Sequence, residues 1–214
     1  MEQIFLILGI FGIGSGCLPI SFCFSNLKKS LATVHWSLLV LSVVYFLTNV
    51  ISLVLFLDKN LIQENFFNLH FLLELFLLSA FFLSYIKPTI FLKLSVLGIF
   101  FFFIIASALH HYGAIRISGS ISLLSNIMLI IYSVYYIVSR YSFVLTEKLT
   151  KNGIFLIVFS VLFYAGVQFY FSLFDLMIRD DSKQIFYYLW PILQIGGIIY
   201  YICFTYGLWK LIKS

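Results

Sequence analysis

The chain has 214 residues, of which 63% are hydrophobic and only 10% charged, and its mean hydropathy is +1.10. A soluble domain carries about 25% charged residues, and a chain this short keeps too much surface to hide such an apolar excess from water. A water-soluble fold is therefore excluded, and so is nucleic acid as a reason for the net charge of +5, because the basic residues lie in short segments between apolar runs and form no basic face.

A membrane-spanning helix needs about 20 mostly apolar residues. Taken in chain order, seven segments qualify, at about Gln3–Phe24, Leu31–Leu57, Phe66–Ile86, Leu94–Leu109, Ile121–Arg140, Gly153–Ile178 and Ile185–Leu211. The fourth is the shortest. Short polar linkers join them, so neighbours run antiparallel. Alternating patterns of the kind that build membrane β-barrels are absent. The expectation is an all-α integral membrane bundle of seven transmembrane helices, forming a single domain over residues 1–214.

The first segment follows Met1-Glu2-Gln3 with no positive region ahead of it, unlike a cleaved signal peptide. It carries Gly12 and Gly16 in a GxxxG step, which favours close helix packing. The second has His35 and Trp36 near its start and Asn49 toward its end. In the third, His70 and Glu74 are four residues apart and share a helix face. The fourth ends at His110 and His111. The fifth carries Ser125 and Asn126, the sixth Gln168 and Asp175, and the seventh Trp190, Pro191 and Gln194. Cys17, Cys23 and Cys203 lie inside apolar runs without metal-ligand spacing and read as small buried hydrophobes.

Lys and Arg divide unequally between the two sides. Nine fall on one side (Lys28, Lys29, Lys87, Lys93, Arg140, Lys148, Lys151, Lys210, Lys213) and four on the other (Lys59, Arg116, Arg179, Lys183). The basic-rich side is cytoplasmic by the positive-inside rule, which places the N-terminus outside and the C-terminus inside.

Ionisable groups in a spanning helix cost roughly 2.5–3.5 kcal/mol each on insertion scales, and they mark function more often than other residues do. With this orientation Asn49, His70, Glu74, Asn126, Gln168, Asp175, Trp190 and Gln194 all fall in the outer half. They are the candidate ligand-binding residues of an outward-facing polar pocket. Taken singly, Asn49, Asn126, Gln168 and Gln194 read equally as hydrogen-bonding glue between helices. His70, Glu74, Asp175, His110 and His111 include enough donors for a divalent metal, but their spacing matches no established zinc pattern. No metal or other cofactor is expected.

Asn68-x-His70 followed by Glu74, together with Trp190, Ile195, Tyr200, Tyr201 and the ending Leu208-Trp209-Lys210, resembles a diffuse group of small bacterial seven-helix membrane proteins. The resemblance implies a bacterial cytoplasmic membrane and carries no activity with it. Retinal-binding bundles need a lysine mid-way along the last helix, where here Lys183 and Lys210 stand at its two ends. Nucleophile, phosphate-loop and HExxH motifs are absent from the sequence.

Four roles compete: a receptor-like or sensory protein, a transporter or proton-coupled carrier, a membrane-embedded or metal-assisted lipid hydrolase, and a structural subunit. The convergence of polar residues favours the first, and an enzymatic role is not favoured. The expected partners are membrane lipid, a small-molecule or lipid ligand, and a cytoplasmic or membrane protein, with no nucleic acid.

Overall fold

The computed structural model describes the backbone of residues 2–28, 30, 34–58, 63–85, 118–141, 152–177 and 183–213, and the side chains of 7–28, 30, 34–51, 70–85, 122–140, 152–174 and 191–213. Nearly all described residues are helical, with no strand among them. The helices are α1 Glu2–Gly16, α2 Leu18–Ser25, α3 Trp36–Asp58, α4 Gln63–Tyr85, α5 Ser118–Tyr141, α6 Gly153–Met177 and α7 Lys183–Lys213. The expected span at Leu94–Leu109, with His110 and His111 after it, lies outside the described residues.

Two features depart most from the sequence reading. The first apolar segment is interrupted at Cys17, whose N–H is shared between the carbonyls of Ile13 and Gly14, both at 3.2 Å. Pro19 follows and has no N–H to give to Ser15. The second helix begins at Trp36, not Leu31, because Val34 and His35 lie outside helical geometry. The His35 ring caps the new start, with Nδ1 at 2.8 Å from Ser37 Oγ and accepting from Ser37 N–H at 3.4 Å. At the start of α6, Asn152 Oδ1 accepts from the N–H groups of Ile154 (3.0 Å) and Phe155 (3.4 Å), the side-chain cap that a helix start requires.

Four stretches of the described residues are long and apolar enough to cross a membrane: Ile7–Ser25, Ser122–Arg140, Gly153–Phe174 and Pro191–Lys213. Trp36–Ile51 and His70–Tyr85 are shorter apolar helices within the described set. The polarity of the bundle is inverted relative to a soluble protein. Its exposed positions include Phe11, Val138, Phe159, Tyr170 and Ile192, whereas Ser42, His70, Glu74, Asn126, Gln168 and Ser172 are buried. Apolar side chains cover the outside and polar groups are held inside, as lipid favours. α5 shows it on one helix: Ser122, Ser125, Asn126, Leu129, Tyr132, Ser133 and Tyr136 are buried, while Ile131, Val134, Tyr135 and Val138 are exposed.

The described helices close into a ring in which α3 packs on α4, α4 on α5, α5 on α6, α6 on α7, and α1 and α2 on both α7 and α3. Specific contacts give the directions. Thr48 meets His70 and Tyr45 meets Glu74, so α3 and α4 are antiparallel. Ser122 at the start of α5 meets Ser172 near the end of α6, and Gly153 at the start of α6 meets Gly207 near the end of α7. Both of those pairs are also antiparallel. Phe82 meets Tyr132, and Tyr85 lies within electrostatic range of Tyr136, so α4 and α5 run parallel. Tyr85 and Ser118 therefore stand at opposite ends of the bundle.

One end holds the apolar core: Leu38, Leu41, Leu78, Phe81, Phe82, Ile157, Val158, Phe204 and Leu208 are buried together. The backbones of α6 and α7 approach closely: a Cβ on Gly153 would lie 2.6 Å from the Gly207 carbonyl oxygen and one on Gly207 2.6 Å from Ile157 Cγ1.

Candidate functional site

The buried polar centre lies beside this core, toward the other end, where α3, α4, α6 and α7 face one another. It is built on Glu74, whose side chain is buried on the inward face of α4. Glu74 Oε1 accepts a hydrogen bond from the Tyr45 hydroxyl of α3 at 2.6 Å. The Tyr45 hydroxyl is also hydrogen-bonded to the Tyr200 hydroxyl of α7. One α4 carboxyl thus ties three helices through two tyrosines.

Aromatic rings wall the centre. Tyr45 meets Tyr200 edge-on, with centroids 5.6 Å apart at 89°, and lies 5.2 Å from Tyr201 and 6.0 Å from Phe204. Tyr164 of α6 stacks on Tyr200 at 4.6 Å and 11°. Such edge-on and offset contacts suit the charge distribution of aromatic rings. Gln168 sits one turn along α6 and donates to the Tyr164 hydroxyl at 2.5 Å.

His70 lies one helical turn from Glu74 on the same face. Its Nδ1 is 3.0 Å from Thr48 Oγ1, and its Nε2 is 3.9 Å from Glu74 Oε2. The second distance is too long for a direct hydrogen bond. Asn49, next to Thr48, donates to the Tyr45 carbonyl at 2.7 Å and to the Tyr201 hydroxyl at 3.2 Å.

The candidates read from the sequence separate into groups. His70, Glu74 and Asn49 come together, and Gln168 joins them through Tyr164. Asn126 belongs to a different seam. It donates to Ser122 Oγ at 3.3 Å, and Ser122 meets Ser172 of α6 at 2.7 Å. Gln194 faces α1, where its Oε1 is 2.5 Å from the position a Cβ on Gly12 would take. Asp175 and Trp190 lie in α6 and α7, but their side chains fall outside the described residues. Among the described residues no three His, Cys, Asp or Glu side chains are grouped to hold a metal ion.

Tyr45 and Thr48 escaped the sequence reading, and Tyr200 and Tyr201 entered it only through the resemblance. A signal was present in α3: Tyr45, Thr48 and Asn49 stand at i, i+3 and i+4, one stripe of an otherwise apolar helix. No family model, curated protein or solved structure matches the chain.

Proposed function

We propose that the chain is a multi-pass membrane protein of receptor-like or sensory type, binding a small molecule or lipid at the polar centre around Glu74 and His70. The observation that carries this reading is the half-used state of Glu74. Oε1 is committed to Tyr45, while Oε2 and the facing His70 Nε2 stand 3.9 Å apart without a direct bond. A buried carboxyl between four helices is costly in lipid and is retained where it serves a site.

The proposal includes seven crossings of a bacterial cytoplasmic membrane, with the N-terminus outside. The parallel run of α4 and α5 supports an odd number of crossings between Tyr85 and Ser118. Lys28, Arg140, Lys210 and Lys213 follow or end helices that run in one direction, which supports a single basic, cytoplasmic end. Sensing is favoured over transport by the apolar core on the cytoplasmic side of the centre. Ser42 and Ser160, buried there, bond within their own helices, to the Leu38 carbonyl (2.8 Å) and the Ile157 carbonyl (2.7 Å).

Native mass spectrometry of the gently extracted protein, beside Glu74→Ala and a distant Ser139→Ala control, tests the binding centre. The expected result is a retained small molecule or lipid on the wild type and the control, lost from Glu74→Ala. If all three forms retain the same species, or the folded wild type retains none, the centre is packing and the structural-subunit reading takes its place.

A further inference from the structure

We infer that the centre is a proton-binding site, holding one proton on the Glu74 carboxyl, directed from Oε2 toward His70 Nε2. This role goes beyond ligand binding and follows from the donors and acceptors around Glu74.

Thr48 has one hydroxyl proton, and it is committed to the Val44 carbonyl at 2.8 Å. Its 3.0 Å contact with His70 Nδ1 therefore requires the ring to be the donor. That fixes the proton of a neutral His70 on Nδ1 and leaves a lone pair on Nε2. The lone pair faces Glu74 Oε2 at 3.9 Å. An ionised carboxylate there would oppose one acceptor to another in a buried apolar setting. A carboxylic acid resolves the conflict, because its O–H points at Nε2.

The same count orders the other side. Tyr45 gives its only proton to Glu74 Oε1, so the Tyr200–Tyr45 bond has Tyr200 as donor. With Glu74 protonated, the chain reads in one direction: Tyr200 to Tyr45, to Glu74, to His70, to Thr48, to the Val44 carbonyl. Each link then sets one donor against one acceptor: the Glu74 O–H faces Nε2 across 3.9 Å, and the other links are hydrogen bonds, which strengthen one another when co-directed.

The alternative is an imidazolium–carboxylate pair at 3.9 Å, which would bury two charges with no direct bond between them and no donor on Oε2 among the described residues. From α3 the group faces Tyr45, from α6 Tyr164, and from α7 Tyr200 and Tyr201. α1 brings Cys17 beside Tyr201. α5 presents Tyr132 to Phe82, farther along α4 toward the apolar core. No Lys, Arg, Asp or second Glu faces the centre among the described residues. Release of the proton leaves Oε2 and Nε2 in opposition on one face of α4, with both side chains held by their bonds to Tyr45 and Thr48 of α3.

Two readings on the full-length protein in lipid nanodiscs test this. Nitrogen-15 NMR of the histidines is expected to show His70 as the neutral Nδ1–H tautomer, accepting on Nε2. Infrared difference spectra between wild type and Glu74→Gln are expected to show one protonated carboxyl band that the variant lacks and that fades as the pH is raised. The glutamine amide introduced by Glu74→Gln can donate an N–H where the acid donates its O–H, so the variant keeps the His70 tautomer. An Nε2–H tautomer or an imidazolium in the wild type overturns the inference, and so does loss of a carboxylate band instead of an acid band. If Glu74→Gln does not fold, the His70 tautomer in the wild type decides alone.

Discussion

Ser133 and Ser125 show what a hydroxyl costs when the bundle gives it nothing to bond. Both are buried on α5, and neither oxygen has a hydrogen-bond partner among the described residues. Ser122, on the same face, is paired with Ser172 and Asn126. An unsatisfied buried hydroxyl costs roughly 1–3 kcal/mol, whereas a membrane side-chain hydrogen bond contributes about 0.6 kcal/mol on average. Ser133→Ala is expected to raise stability by about 1 kcal/mol, and Ser122→Ala to lower it by a smaller amount. Reversible unfolding in mixed detergent reads both signs. At this scale the sequence exposed one kind of residue and concealed another. His70 and Glu74 were legible because charge and imidazole are rare in apolar runs and their spacing fixes a shared face. Tyr45, Tyr200 and Tyr201 were not placed at the centre by composition or spacing, because a tyrosine in a membrane helix has the same composition whether it lines a core or meets lipid headgroups. Only helix rotation distinguishes the two, and rotation is a property of packing.

Among the elements, the glycines of α1 divide by what they face. A Cβ on Gly16 would collide with the Asn49 amide of α3, whereas one on Gly14 would meet nothing within 4 Å. Asn49 cannot yield without loosening its bonds to the Tyr45 carbonyl and the Tyr201 hydroxyl, so Gly16→Ala strains the wall of the polar centre. Overpacking of this kind costs about 1–3 kcal/mol. Gly14→Ala places a better helix former on an open face and gains up to about 1 kcal/mol. Thermal denaturation of the two variants is expected to move the midpoint in opposite directions, and equal shifts would remove Gly16 from the α1–α3 contact. The sequence pattern announced close packing at Gly12 and Gly16, yet the two serve different partners, Gln194 of α7 and Asn49 of α3. The tighter crossing at Gly153 and Gly207 carried no motif, because the two residues are far apart in sequence and meet only through the antiparallel register of α6 and α7. Helix existence was legible from apolar length. The interruption at Cys17 and the late start at Trp36 were set by local bonding that hydropathy does not register.

For the molecule as a whole, inverted polarity and helix direction give one consistent picture. Apolar residues cover the outside, the polar centre joins α3, α4, α6 and α7, and the apolar core fills the end toward which α4, α5 and α7 run. The all-helical class was readable from sequence alone. The shared direction of α4 and α5 follows from seven alternating spans, but their packing against one another was not readable, since it joins segments separated by thirty-two residues of chain, 86–117. That parallel run carries the seven-crossing account, and it is tested by placing single cysteines at Tyr85 and at Ser118 in a background with Cys17, Cys23 and Cys203 replaced. A membrane-impermeant thiol reagent is then applied to intact cells and to inverted vesicles. The account predicts that Ser118→Cys labels only from the outside and Tyr85→Cys only from the cytoplasmic side; labelling of both from the same side would contradict it.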